Sequence, residues 1–363
     1  MANDLDRSAH SSALKFNYLL RPRKGVERKM LCESFQRLCY FHPLKNYQYI
    51  GFGAFYFADF KVFHRQLGIR NMLSIEHDSS IQKRVNFNKP YSFVKIKRGS
   101  STAVLSKHNW RRPAIIWLDY DSVLQTNHMR DLEHVVQNAQ SGSVVLLTSD
   151  ADPKALDKRM PDATRRRIDE LFRLVMPALG DKDNISRQAE RLFKECGVGH
   201  VRLTALKERL DDNLPSDIGE DDLDEPGLAK VLARLIRDEI ERNLNLRNAT
   251  QPKDCWLHFE QLYYFTYADG RLMLTYGGIL VDSTHQRILR QNPGIFDLDF
   301  IKKADKSFEI NTPELTVKEL KFLEEYVPRQ SRKQPTQFEM SKAEFRQYCT
   351  TYRYYPLYAE FDL

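Results

Sequence analysis

Asp119 and Asp121, flanking Tyr120 where an apolar run ends, are spaced as a pair of carboxylates that could hold an amine, take a proton or bind a metal ion. A bare Asp-x-Asp is a weak Mg²⁺ signature, and the cysteines do not fall at zinc spacing, so no metal ligand is assigned. One helix cap is the plainer role for Asp121. Upstream, Gly51-Phe52-Gly53 closes a run that begins at Tyr47, and Glu76-His77-Asp78 closes a second run, Met72 to Ile75. Glycines after a strand let backbone approach a ligand, and an acid ending the next strand can accept hydrogen bonds from ribose hydroxyls. Gly99 and Ser100 stand at the end of a third run, and Ser149-Asp150 at the end of a fifth. Arg21, Arg23 and Lys24, with Tyr18 nearby, form a basic group ahead of a helix. They can clamp a substrate phosphate or carboxylate, or serve as ordinary surface bases.

The elements that must position these groups follow from periodicity. Pro22 and Gly25 punctuate a loop, after which Val26, Met30, Leu31, Phe35 and Leu38 fall at helical spacing. Five short apolar strands then alternate with helices as far as Asp150. The helices are expected behind Gly53, at Ser79 to Phe87 with its two serines as caps, at Thr102 to Trp110 and at Leu124 to Ala139. Residues 151–250 read as helical, with segments at Thr164 to Met176, Ile185 to Cys196, His200 to Arg209 and Leu228 to Leu244. Leu262 to Tyr267 and Arg271 to Tyr276 flank Ala268-Asp269-Gly270, the chemistry of a tight antiparallel hairpin. Helices at Thr316 to Tyr326 and Ser341 to Cys349 precede a tyrosine-rich end, for which packing is favoured over base stacking.

The fold class expected is α/β, a doubly wound, mostly parallel sheet with a C-terminal antiparallel hairpin and a helical insertion. Its parts are a lead-in (1–46), a Rossmann-like core (47–150), the insertion (151–255), the hairpin (256–300) and a helical and aromatic tail (301–363). In such sheets ligands gather at the carboxyl ends of the strands, where all the acids and glycines above fall.

Composition narrows the class of protein. No apolar run reaches the roughly 18 residues of a membrane span, and the polar start lacks a secretory core, so the cytoplasm is the expected location. Five scattered cysteines argue against a disulfide framework, and Cys32 and Cys39, seven apart, are expected to face the core together. The net charge of +7 is unevenly spread. Lys61 to Arg112 holds twelve Lys/Arg against two acids, whereas Asp211 to Glu225 holds eight acids and no base. The basic segment Lys83 to Arg112 suits a nucleic acid. The acidic loop, with the insertion, suits a basic protein partner or plain solvation.

Five βα units, a helical excursion and an antiparallel hairpin together resemble the class I S-adenosylmethionine-dependent methyltransferases. The resemblance covers Tyr47 to Asp150 and Glu260 to Asp282 and rests on order and position. It implies that Gly51, Phe52 and Gly53 hold the methionine part of S-adenosylmethionine, that Glu76 and His77 sit at the ribose, and that Arg98, Gly99 and Ser100 form the adenine side. It implies further that Asp119, Tyr120 and Asp121 lie over the transferred methyl group; apart from the resemblance, the basic group gives Tyr18, Arg21 and Lys24 as the residues expected towards the substrate. The chain departs from the family pattern in two places: Tyr47 to Tyr49 replace an acid, and Ala54 and Phe55 follow Gly53.

Two functions are therefore carried forward. One is methyl transfer from S-adenosylmethionine to a nucleic acid, a small molecule or a protein. The other is a catalytically inactive methyltransferase-like module, a partner or sensor in a multi-protein complex. A nicotinamide-dependent oxidoreductase fits less well, since GFGAFYF lacks the third glycine of that fingerprint.

Overall fold

The five apolar runs pair side by side as parallel strands, and the hairpin closes the sheet. The structure is a computed structural model that describes residues 21–157, 198–302, 306–328 and 337–355. Its strands are β1 (Gln48–Gly51), β2 (Asn71–Glu76), β3 (Val94–Arg98), β4 (Ala114–Asp119), β5 (Val144–Asp150), β6 (His258–Ala268), β7 (Leu272–Val281) and β8 (Phe308–Glu309). They form one sheet in the order β3-β2-β1-β4-β5-β7-β6-β8, in which β7 runs antiparallel to both neighbours. The order reverses between β1 and β4, the switch point at which open α/β sheets bind ligands. The two-residue β8, beside β6, has no counterpart in the apolar pattern.

Helices cover both faces. On one side lie α1 (Pro22–Gln36) and α2 (Ala58–Leu67), whose Met30, Phe35, Phe60 and Phe63 pack with Tyr49, Ile115 and Trp117. The other side carries α4 (Ser101–Leu105), α5 (Thr126–Asn138), α7 (Val198–Leu210) and α8 (Gly227–Ala249), with Leu132, Val135, Leu232 and Ile236 against Ile116 and Leu118. Because β4 is covered on both faces, its apolar residues run continuously rather than alternating. The short helix α3 (Gln82–Asn88) adds Val85 to the first face and α6 (Lys154–Asp157) adds Leu156 to the second, and α9 (Ser283–Gln291), α10 (Val317–Leu323) and α11 (Lys342–Thr351) follow the hairpin. Gly277 lets β7 seat against β5: a Cβ there would fall 2.0 Å from the Val145 carbonyl oxygen.

Several expectations need correcting. α1 starts at Pro22 rather than after Gly25, because proline is well suited to a first helical position, and Lys24 is thereby drawn from loop into helix. α3 starts at Gln82, since Ser80 bonds Asp78 instead of capping. α4 stops at Leu105, beyond which no apolar residue at helical spacing extends its buried face. Cys32 is buried but Cys39 is exposed, since the chain tightens into a 3-10 turn at Arg37–Tyr40 and rotates it outward. The acidic stretch is partly structural: Ile218 and Leu223 are buried, while Asp217 pairs with Arg234. At the C-terminal end Tyr354 packs on Phe300 and bonds Glu33, the packing role expected for these aromatics. The segments Thr164 to Met176 and Ile185 to Cys196, the lead-in 1–13 and Tyr18 lie outside the described residues. Among the described residues no helix is long and apolar enough to cross a membrane.

Candidate active site

At the end of β1 the chain turns through residues 52–57 into α2. Gly53 donates its N–H to Ser74 Oγ at 3.0 Å, and its carbonyl accepts from Phe57 N–H at 2.8 Å. A Cβ at Gly53 would lie 2.3 Å from the Phe57 ring and 2.7 Å from Ser74 Oγ, so glycine is required for the turn to lie flat on β2. The left-handed conformations fall on Ala54 (φ 45°) and Phe57 (φ 47°) instead. Non-glycine residues held in that region mark local strain, which gathers at ligand sites.

The first turns of α1 lie across this edge. Lys24, Glu27, Arg28 and Leu31 share one stripe, and all four are buried. Lys24 Nζ donates to Asp119 Oδ1 at 2.7 Å and to the Tyr267 hydroxyl at 2.9 Å. It sits 2.8 Å from Glu27 Oε2 and 4.2 Å from the centre of the Trp117 ring. The backbone N–H groups of Arg23 and Lys24 both donate to the Asp269 carboxylate at the hairpin tip, tying α1 to β6 and β7. Burial pushes the Glu27 carboxyl up, against the opposing pull of Lys24. Asp59, at the start of α2, receives the Tyr49 hydroxyl; its carboxyl is likewise raised by burial and lowered by Arg28.

Arg28, Asp59 and Asp119 converge with Phe52, Gly53, Ala54, Tyr56 and Ala58 on a small cavity of about 60 Å³ above the glycine turn. Arg28 Nε is buried there with no hydrogen-bond partner among the described residues. A buried guanidinium N–H without a partner is costly unless a ligand completes it. A cation beside two carboxylates is the complement of an amino-acid head group. The residues present therefore fit the methionine end of S-adenosylmethionine, with Arg28 for the carboxylate and Asp59 or Asp119 for the amine.

The remaining predicted residues extend along the same edge. Glu76 ends β2 half-buried, receives Asp78 N–H at 3.1 Å, and its carboxyl is raised by burial. His77 beside it is exposed. Gly99 (φ 127°) donates its N–H to the Glu76 carbonyl at 3.1 Å, which joins the ends of β2 and β3. Ser100 spends its hydroxyl capping α4, accepting from Ala103 N–H at 3.2 Å. Tyr120 leans on Phe52 with ring centres 5.2 Å apart, stacks on His128 at 3.6 Å, and donates its hydroxyl to Asp131. Burial holds the His128 imidazole down at about 3.

Asp119 and Asp121 do not share a cavity. Asp121 is exposed and does not cap α5, whose N-cap is Gln125. It lines a separate cleft of about 680 Å³ with Asp150, Asp152, Lys154, Glu208 and Arg271. No cluster of three metal-binding side chains occurs among the described residues. Arg21 stands at the N-cap of α1, and Lys24, expected to face substrate, is committed to Asp119. Glu27, Arg28 and Asp59 are site residues that sequence reading passed over. For Glu27 and Arg28 the signal was present: with Lys24 they put three charges at i, i+3 and i+4 on the stripe that must face the core.

The family model described as "Putative O-methyltransferase" matches residues 16–363. No curated protein matches the chain. Solved structures it is similar to include CrArsM, an arsenic(III) S-adenosylmethionine methyltransferase from Chlamydomonas reinhardtii, at 13% identity, with 66% of each chain covered and a TM-score of 0.33. Others are DesVI from Streptomyces venezuelae (12% identity, 38% of this chain and 56% of that one, TM-score 0.27) and CalS10, an amino pentose methyltransferase from Micromonospora echinaspora (9%, 42% and 59%, 0.27). The chain spans 55% to 59% of the length of the first three solved structures it matches.

Proposed function

Because the chain belongs to this family of class I S-adenosylmethionine-dependent methyltransferases, we propose that it transfers a methyl group to an oxygen atom of its acceptor. The observation that carries this reading is the pocket above Gly53 at the β1/β4 switch point, which Arg28, its buried Nε without a partner among the described residues, lines with two carboxylates. When bound, S-adenosylmethionine supplies a methyl group on a positively charged sulfur that is a good leaving group. The chain's part is to hold and orient. Arg28 and Asp59 grip the amino-acid end, Glu76 accepts from the ribose hydroxyls, and Gly99 and Ser100 border the base. Phe52 and Tyr120 wall the site against water. Asp119, with its side chain partly open to the cavity, faces the reacting centre and can receive the acceptor proton.

The Asp121 cleft, two residues further along the chain from Asp119, is lined by four carboxylates and by three bases, Lys154, Arg209 and Arg271. That lining suits a polar acceptor. A nucleic acid is the second reading, and the β3 edge favours it. Lys95, Lys97 and Arg98 are exposed on this outermost strand, as are Lys107, Arg111 and Arg112 in the following loop. Phe87 stands 88% exposed on α3, four residues after Lys83, a platform on which a base could stack.

Photolabelling with S-adenosylmethionine tritiated in the methyl group tests the reading. Label is expected on the wild-type chain, displaced by S-adenosylhomocysteine and reduced at least tenfold in Glu76→Ala. Absence of label at saturating cofactor would support the inactive-module alternative. RNA retention that weakens steeply with salt, and further in Lys95→Glu/Lys97→Glu, would support a nucleic-acid acceptor.

A further inference from the structure

The charges around Lys24 do not balance. Lys24 and Arg28 supply two positive charges, against three carboxylates on Glu27, Asp59 and Asp119. Buried charge that is not paired is strongly disfavoured, so one more positive charge is needed. Asp119 is partly open to solvent, whereas Glu27 is sealed, so without a ligand a proton on Glu27 supplies it. With S-adenosylmethionine bound, the sulfonium supplies it.

Glu27 is the carboxylate built to hold that proton. It is 0% exposed, and neither of its oxygens receives a well-formed hydrogen bond. The Lys24 ammonium 2.8 Å away also donates to Asp119 and Tyr267. The groups that act on Glu27 are Lys24 from α1, Asp119 from β4, Tyr267 from β6 and the uncharged Thr275 from β7. Asp59 is better provided, with the Tyr49 hydroxyl and the Arg28 guanidinium to stabilise its charge.

Resting on the methyltransferase reading above, we infer that Glu27 is a buried proton store whose proton alternates with the sulfonium charge. Glu27 gives up its proton as the positively charged cofactor binds. During transfer the C–S bond breaks with both electrons staying on sulfur, and the new O–C bond forms as the acceptor O–H breaks. Its proton passes to Asp119, and through the Lys24 ammonium, which bridges the two carboxylates, to Glu27. One positive charge leaves sulfur and one proton enters the cluster, so the buried charge stays constant through the reaction. Glu27 touches neither reactant. It is a positioning residue acting through Lys24.

Calorimetric titration of the whole chain, repeated in buffers of different ionisation enthalpy, counts the protons released on binding. At about pH 6 the α-amines of both S-adenosylmethionine and S-adenosylhomocysteine are protonated, so the sulfonium is the difference between them. The first is expected to release about one proton more than the second. In Glu27→Gln that excess disappears while both compounds still bind. Equal proton counts for the two compounds in the wild type would overturn the inference, and so would an excess that survives in Glu27→Gln. Failure of both compounds to bind the wild type would instead overturn the methyltransferase reading, and the proton store with it.

Discussion

Lys24 Nζ lies 2.7 Å from Asp119 Oδ1 although 95 residues separate them, and this contact locks the first helix over the carboxyl end of the central strand. The ammonium also closes on Glu27 and Tyr267, so it holds three elements at one point. Removing it strips Asp119 of its cation beside the sealed Glu27 carboxyl. Lys24→Met is expected to cost about 3–5 kcal/mol, read as a lower urea midpoint, and Lys24→Met/Glu27→Gln is expected to recover part of that loss. Equal midpoints for wild type and Lys24→Met would contradict the account of this pair.

Gly53→Ala tests the turn itself. The added methyl would strike the Phe57 ring at 2.3 Å and Ser74 Oγ at 2.7 Å, and Phe57 is fully buried with a left-handed backbone that leaves it little room to move. A destabilisation of about 1–3 kcal/mol is expected, as for other overpacked sites. Thermal unfolding checks it, and cofactor affinity should fall with it because the same turn lines the Arg28 pocket.

His128 predicts a pH dependence. Its folded-state value of about 3 lies below the ordinary 6.5, so between these values the unfolded chain binds more protons than the folded one. Stability is full above pH 6.5 and falls with acidification, by about 1.4 kcal/mol per pH unit for this group alone. Glu27 and Asp59, raised by burial, act in the opposite sense and lose stability as pH rises through their folded values. Comparing wild type with His128→Phe, which keeps a ring against Tyr120, isolates the histidine. The variant should lose less stability between pH 7 and pH 5.

Much of this architecture was legible in the residues. The strand runs ending at Gly51, Glu76, Arg98, Asp119 and Asp150 signalled a parallel sheet, and Asp269-Gly270 signalled the hairpin. Local pattern is informative where apolar runs are bounded by turn chemistry. What it does not carry is long-range pairing. Nothing local to Lys24 says that it will meet Asp119, and Pro22 reads as a loop breaker until one sees it used as a first helical residue. The placements of Asp119 and Asp121 diverged for a similar reason. Two residues apart at a strand end, they look like a pair, yet the chain leaving the sheet aims them into different cavities.

The claim at the centre of this account is that Arg28, brought from the N-terminal helix to the glycine turn, completes the cofactor site. Isothermal titration with S-adenosylmethionine of the wild-type chain and of Arg28→Met tests it most directly. The account predicts saturable binding by the wild type and an affinity at least tenfold weaker in Arg28→Met, the loss expected when a charge-assisted hydrogen bond of about 1.5–3 kcal/mol is removed. Unchanged affinity in Arg28→Met, or a wild-type chain that takes up no cofactor at all, would contradict it.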